Sequence, residues 1–304
     1  MPIWISLPSI YVPQPAPTDF IEGESRISRT YRKMFKRVAL AFQQPEELSN
    51  DGPEIPRYSG LDREKLATAS IDILLKRYKL EHPPVFLIDC HSTAALSGPA
   101  PSYRLAMLSG LSKVMPFSLD NQGGTEIFMG LLFSDQMLIQ EQYGILVATQ
   151  CVVSPDTRFL RQRYPLSDAS AAILISKSLH LIQGISFRVL GVNILQLSVE
   201  KQGCDEQVMN GVINLLEDAG VKGCDVKWGI SQFKLDDLAI LPSIKLINRP
   251  NYRDCDFGTP DALLTLEAIS QTPPATSSVG MIVVIGKFGS VGMMLLQMEQ
   301  TLSN

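Results

Sequence analysis

A cysteine and a histidine that could form a nucleophilic pair stand side by side at Cys90 and His91, directly after the apolar run VFLID. A neighbouring histidine can take the proton of a thiol and leave a thiolate, which attacks acyl groups. Adjacent residues on an extended chain point to opposite faces, so these two side chains should diverge. We therefore expect Cys90 to be a buried thiol at a strand end, and keep Cys90 with His91 as the alternative reactive pair.

The other cysteines and histidines narrow the possible chemistry. The chain has 5 Cys and 3 His, and no two cysteines have CxxC spacing. Cys151 follows a run of valine and alanine, which favours a core position, and Cys255 lies between two aspartates that would raise its pKa. The glycine turns GTPDA and GKFGSVG lack the Lys-Ser/Thr ending of a phosphate-binding loop. We predict no metal site and no bound cofactor.

Helices and strands that could position these residues are evident from periodicity. After Leu61, apolar residues recur at helical spacing as far as Leu80, with acidic residues in the first turn and basic residues in the last, which suits a helix dipole. The near-continuous apolar run at 85–89 predicts a strand covered on both faces. Strand and helix patterns then alternate to the end of the chain, through a helix at 126–142 and a strand at 144–153.

This alternation predicts an α/β fold built in layers. The series of strands and helices occurs twice, and the change from one series to the next falls near Gly184. We therefore predict two similar halves, residues 1–184 and 185–304, that share one core.

Composition excludes several classes of function. The 304 residues carry a formal net charge of −4, which argues against nucleic acid or an anionic membrane as partner. No apolar run approaches the roughly 20 residues that span a bilayer. The N-terminal MPIWISLPS has no basic region followed by a long apolar run, so it does not have the pattern of a signal peptide. We expect a cytoplasmic protein.

Six segments in the correct order resemble the β-ketoacyl-acyl-carrier-protein synthase III family. YPLSDASAAILIS is similar to the family's GDGAAAxLLS strand, and the C-terminal GMIVVIGKFGSVGMMLLQME to its last glycine-rich strand pair. The other four are LDREKLATASIDILLKRYKL with VFLIDCHST, PFSLDNQGGTEIFMGLLFS, LAILPSIKL and CDFGTPDALLTLEAI. The resemblance implies a thiolase-like, five-layer αβαβα fold.

The family's three reactive positions are replaced. Its nucleophilic cysteine, at the start of a buried helix, aligns with Gly124, or with Gly123 if the register slips by one. Its histidine aligns with Ser243, whose hydroxyl is no base near neutral pH. Its asparagine aligns with Asp256, whose carboxylate would repel a developing oxyanion. We expect Gly124, Ser243 and Asp256 to converge in a reduced or plugged pocket that does not catalyse condensation by the family's route.

Members of this family dimerise through a strand edge. The segment 144–153 is long, apolar and free of the lysines and prolines that protect exposed edges, so we expect a partner strand there. By resemblance, the chain would be a non-catalytic subunit that pairs with an intact synthase, in fatty-acyl or secondary-metabolite biosynthesis, on acyl-carrier-protein or coenzyme A thioesters. The alternatives are an acyltransferase or thioester hydrolase with altered chemistry, and a homodimeric acyl-chain-binding protein.

Overall fold

The structure is a computed structural model that describes residues 3–14, 59–91, 101–120, 124–152, 166–197, 204–231, 241, 244–247, 257–286 and 289–301. Its strands are β1 Ile3–Ser6, β2 Ser9–Tyr11, β3 Phe86–His91, β4 Met115–Asp120, β5 Tyr143–Gln150, β6 Ala169–Ser176, β7 Gly184–Gln196, β8 Val226–Ser231, β9 Lys245–Leu246, β10 Val279–Ile285 and β11 Ser290–Thr301. Its α-helices are α1 Arg63–Arg77, α2 Pro101–Leu108, α3 Glu126–Met137, α4 Cys204–Asp218 and α5 Asp261–Glu267.

The strands form one continuous hydrogen-bonded sheet in the order β4-β3-β5-β6-β1-β7-β11-β10-β8-β9, with β2 paired to β6. The N-terminal strands β4, β3 and β5 run parallel, as do β10, β8 and β9 in the C-terminal part. β1 joins the two regions because it pairs with both β6 and β7. Gly184, where we predict the boundary between the halves, is the first residue of β7.

Three apolar clusters reveal the layers. Alternate residues of β5 pack into different clusters: Ile145 and Val147 lie with α1 and α2, whereas Leu146 and Ala148 lie with α3 and α5. In β10, Ile282 and Val284 share that second cluster, and Met281 and Val283 pack with α4. Because strand residues alternate between faces, α3 and α5 lie between two sheet layers, and α1 with α2 and α4 cover the outside. The predicted α/β class and five-layer arrangement are confirmed.

Helix α3 is the central element. It packs against β3, β4 and β5 on one side and against β7 and β11 on the other. Two glycines make this close packing possible: a Cβ added to Gly130 would meet Leu146, and one added to Gly292 on β11 would meet the ring of Phe128. Glycine thus stands at two of the close contacts between this helix and the strands.

The prediction that residues 144–153 form an exposed pairing edge is wrong. All residues of β5 are buried, and the strand pairs with β3 on one side and β6 on the other. Its apolar character reflects a central position between covered faces. Val147 is fully buried in the outer cluster beneath α1. The edge strand of the N-terminal sheet region is β4 instead.

A buried ion pair fixes α1 to the carboxyl end of β3. Nη1 of Arg63, in the first turn of α1, donates to Oδ2 of Asp89 at 2.8 Å, and both side chains are buried. Burial raises the pKa of the Asp89 carboxyl above its ordinary value, although the Arg63 guanidinium opposes this shift. The pair therefore holds helix and strand together only while both partners are present.

We predict that Arg63→Leu destabilises the fold by about 3–5 kcal/mol near pH 8, because it leaves a buried carboxylate without its counter-charge. Removing the guanidinium raises the pKa of Asp89 further, so the loss should shrink as the pH falls through that pKa and the carboxyl becomes protonated. Urea unfolding at several pH values measures both effects.

The matched control is Arg104→Leu on α2, since Arg104 is about half exposed and contacts Asp62 only at the surface. An exposed pair contributes about 0–1 kcal/mol. Equal losses in the two variants, or a loss at Arg63 that does not depend on pH, would contradict this role for the buried pair.

Candidate functional site

Gly124 lies at the turn where the chain enters α3. Its φ is +109°, a conformation that glycine adopts without strain and other residues avoid. Among the described residues beyond its chain neighbours, a Cβ built on Gly124 has one heavy atom within 4 Å, the Cα of Gly286 at 3.7 Å. Gly286 follows β10, so the turn before α3 lies against the C-terminal part of the sheet. The described residues leave space for a small side chain here, but the backbone conformation disfavours one.

A buried carboxylate occupies the position beside Gly124. Glu126, the first residue of α3, has no exposed surface. Its Oε2 accepts the backbone N–H of Gly124 at 2.9 Å and the hydroxyl of Thr259 at 3.4 Å. A negative charge at a helix N-terminus is favoured by the helix dipole. Glu126 is not among the site residues predicted from the sequence, although an acidic residue that opens an otherwise apolar buried helix is a visible signal.

The turn before α5 supplies the second side of this site. Thr259 is buried and its hydroxyl reaches Glu126 across the molecule. Gly258, with φ +55°, lies so close to the buried Gln150 that a Cβ added there would be 2.5 Å from Oε1 of Gln150. The carboxamide of Gln150, at the end of β5, therefore fills the space that a side chain at 258 would take. Polar groups of β5, α3 and the α5 turn meet here.

Cys90 and His91 diverge, as strand geometry requires. The Cys90 thiol packs beneath α3, where it donates to the backbone oxygen of Glu126 at 3.5 Å. His91 lies on the other face with Asp89, its Nε2 3.9 Å from Oδ2. Burial, together with the Glu126 and Asp89 carboxylates, raises the pKa of the Cys90 thiol well above its ordinary value. The thiol is therefore protonated near neutral pH and is not an activated nucleophile.

Two of the predicted site positions, Ser243 and Asp256, lie outside the described residues, as does Gly123. Their convergence with Gly124 stays a prediction. From the same segments, the structure describes Leu241 as buried and Phe257 as a core residue. Within the described residues, Gly124 is joined instead by Glu126 and Thr259.

The chemistry available to this site is that of holding an anion. Two donors from different elements, a backbone N–H and a hydroxyl, converge on one carboxylate oxygen.

Across the described segments, no group of three or more histidine, cysteine or acidic side chains could hold a metal ion. In the same segments, no helix is long and apolar enough to cross a membrane.

We predict that Cys90 resists alkylation in the native protein at pH 8, whereas the exposed Cys224 reacts readily. Burial and two neighbouring carboxylates suppress the Cys90 thiolate, and the thiolate is the reactive form. Iodoacetamide labelling followed by peptide mass spectrometry measures each cysteine separately. Labelling in denaturant provides the control, since both thiols should then react. Rapid native labelling of Cys90 would restore it as a candidate nucleophile.

Comparison with solved structures shows the fold. The chain superposes on ChlB3, described as an acyltransferase, with a TM-score of 0.73 and 13% identity, over 99% of this chain and 98% of that one. It superposes on the 3-oxoacyl-(acyl carrier protein) synthase III FabH of Pseudomonas aeruginosa PAO1 with a TM-score of 0.70 and 16% identity, over 100% of both chains. A variant of Xanthomonas campestris OleA gives a TM-score of 0.71 and 13% identity, over 98% of each chain.

No protein-family model matches the sequence, and no curated protein matches it. At identities of 13–16%, the likeness to these structures shows the fold and does not show the chemistry of this chain. The likeness covers nearly the full length of each chain. The chain thus has the thiolase-like fold of the β-ketoacyl synthase III type.

Proposed function

We propose that this chain is a non-catalytic subunit that pairs with an active synthase of the same fold and supports its handling of acyl thioesters. The observation that carries the proposal is the Gly124–Glu126 contact. The position that holds the nucleophile in the family is a glycine, and its N–H is engaged by the chain's own carboxylate. Acyl-carrier-protein or coenzyme A thioesters would be bound by the complex, with the partner supplying the chemistry.

Support for pairing comes from the edge strand β4. Among the described residues, β4 pairs only with β3. Met115 donates its N–H to Val85 on the β3 side at 3.0 Å. Hydrogen-bonding direction alternates along a strand, so the carbonyl of Pro116 and both the N–H and the carbonyl of Ser118 face the open edge. An open edge of this length is a template for a second strand.

Apolar side chains flank this edge on both sides. Eight large apolar side chains are exposed among the described residues, and six of them lie on β4 or on α2 and α3, which both pack against β4. The six are Tyr103, Met107, Leu108, Met115, Leu132 and Phe133. Concentration of exposed apolar surface around one edge is typical of a protein–protein interface. A synthase of the same fold would present a matching β4 edge.

The described residues give little support to the altered-enzyme alternative. Cys90 is protonated and buried, and the Glu126 carboxylate has no exposed surface and already accepts two hydrogen bonds. A homodimeric acyl-chain-binding protein would use the same β4 edge, paired with a second copy. The choice of partner therefore decides between this alternative and the proposal.

We predict that Ser118→Pro abolishes pairing and leaves the chain folded. Proline removes the N–H that faces the open edge, while the alternate residues that bond to β3 keep theirs. The measurement is co-purification of this chain with a synthase homologue from the same genome that retains cysteine, histidine and asparagine, followed by light scattering. The wild-type chain should co-purify as a heterodimer, and Ser118→Pro should not.

Ser118→Ala is the matched control, because it changes the side chain and keeps the backbone N–H. It should pair as the wild type does. The proposal fails if the synthase is equally active with and without this chain, or if the chain is monomeric at micromolar concentration in the presence of the synthase. A stable homodimer that ignores the synthase would favour the binding-protein alternative.

A further inference from the structure

We propose that Glu126 is a built-in occupant of the site's anion-binding position, so that this residue, in addition to the missing cysteine, excludes acyl thioesters from the site. The inference rests on the proposed function in one respect, that the site descends from one built for thioesters. It goes further by assigning a specificity-determining role to a named residue that lies outside the reactive positions expected from the sequence.

The geometry around one oxygen is the first argument. Oε2 of Glu126 receives the Gly124 N–H at 2.9 Å and the Thr259 hydroxyl at 3.4 Å. A backbone N–H at a helix start and a second donor from another element, both aimed at one point, are what stabilises the oxygen of a thioester as negative charge develops on it. Here that point is already held by a carboxylate oxygen of the chain.

Space is the second argument. Among the described residues, a Cβ at Gly124 would meet only Gly286, whose Cα lies 3.7 Å away. Within the part of the chain that the structure describes, steric filling therefore does not explain why the site lacks a nucleophile. A nucleophile or an oxyanion at residue 124 would meet a backbone N–H that already donates to the side chain of Glu126, two residues away. Like charges at such a distance disfavour ionisation.

The charge on neighbouring groups is the third argument. The Cys90 thiol lies against the backbone of Glu126, and its pKa is raised by burial first and then by the Glu126 and Asp89 carboxylates. The Glu126 carboxylate thus contributes to raising the pKa of a native thiol, that of Cys90. A thiolate introduced at residue 124 would experience the same effect.

A purely structural role for Glu126 makes a different prediction. The N-cap residue of α3, Thr125, makes no side-chain capping bond, and Glu126 bonds back to the preceding turn as a capping residue would. Capping alone accounts for lost stability when Glu126 is replaced. It accounts neither for complete burial nor for the bond to Thr259, 133 residues away. Charge repulsion on a thiolate at residue 124 is expected in either role, but only the occupant role predicts that an added anion takes the position when the side chain is removed.

The test compares the thiol pKa at residue 124 in two variants of the full chain, Gly124→Cys and Gly124→Cys with Glu126→Gln. Thiolate ultraviolet absorbance against pH, with the corresponding Gly124 protein subtracted, needs no reagent to enter the site. Glutamine keeps the shape and the acceptor oxygen and removes the charge. We expect the pKa to fall by at least one unit, which is about a ten-fold rise in thiolate fraction at pH 7.

Gly124→Cys with Asp135→Asn is the matched control. Asp135 lies on the same helix nine residues later, roughly 13 Å along the axis, and its loss changes net charge equally. We expect this variant to leave the thiol pKa unchanged. If Glu126→Gln lowers the pKa no more than Asp135→Asn does, or if the thiol pKa is already below its ordinary value with Glu126 present, the inference is overturned.

A second measurement applies if Gly124→Cys does not fold, since φ +109° strains a cysteine. Glu126→Ala vacates the position and leaves the donors of Gly124 and Thr259. Sodium formate should then raise the unfolding midpoint of Glu126→Ala with concentration, and sodium chloride at equal ionic strength should not. Adding Thr259→Val should remove most of the formate effect. A midpoint that responds equally to both salts overturns the inference.

These results are independent of pairing. If Glu126 fails these tests and the chain still supports a synthase, the subunit proposal stands without an internal occupant. If Glu126 passes and no synthase is supported, the site is closed in a chain with another role.

Discussion

The start of α3 is the point on which the structure depends, and the Glu126 carboxylate organises it. This one side chain ties the turn at Gly124 to the turn before α5, and so connects the two sheet layers through their central helices. A buried carboxylate is costly unless it is hydrogen-bonded, so the fold must keep both donors in place. Helix α3 then fixes the spacing of β3 and β5 on one side and β11 on the other through its glycine contacts.

The same hydrogen bonds also determine which donors at the start of α3 remain available to a ligand. A catalytic site for acyl transfer needs hydrogen-bond donors that are free to bind the oxygen on which negative charge develops in the transition state. Here the donors are in place, but their acceptor is part of the chain. The nearby Cys90 is protonated because burial and the same carboxylate oppose its ionisation. The thiolase-like fold is thus present with the Glu126 carboxylate accepting the donors at the start of α3, an arrangement on which the proposed supporting role rests.

Sequence patterns predicted most of the layered fold. Helix α1 was evident from its apolar spacing and terminal charges, and the structure adds an N-cap at Asp62, which accepts the N–H of Lys65. The order of six segments led to the five layers. The pairing edge was assigned wrongly because an apolar strand without lysine or proline looks the same at an unguarded edge and at the centre of a sheet. The edge strand β4 carries Pro116, a sign of an edge that the pattern analysis passed over.

The site was less accessible to sequence reasoning. The alignment of Gly124 to the nucleophile position stays a prediction, and the structure describes Gly124 at the turn that leads into α3. Glu126 and Thr259 meet there from positions 133 residues apart, and no local pattern reports such a contact. Gln150 fills the space beside Gly258 for the same reason, since the end of β5 meets the α5 turn only in the folded chain.

The most direct test of the central claim is turnover of the co-expressed complex when the partner synthase has lost its own nucleophilic cysteine by Cys→Ala substitution. The account predicts that acyl transfer and condensation both vanish, while the complex still assembles, because every turnover uses the partner's site. Residual turnover that requires this chain would contradict the account and show that it carries chemistry of its own.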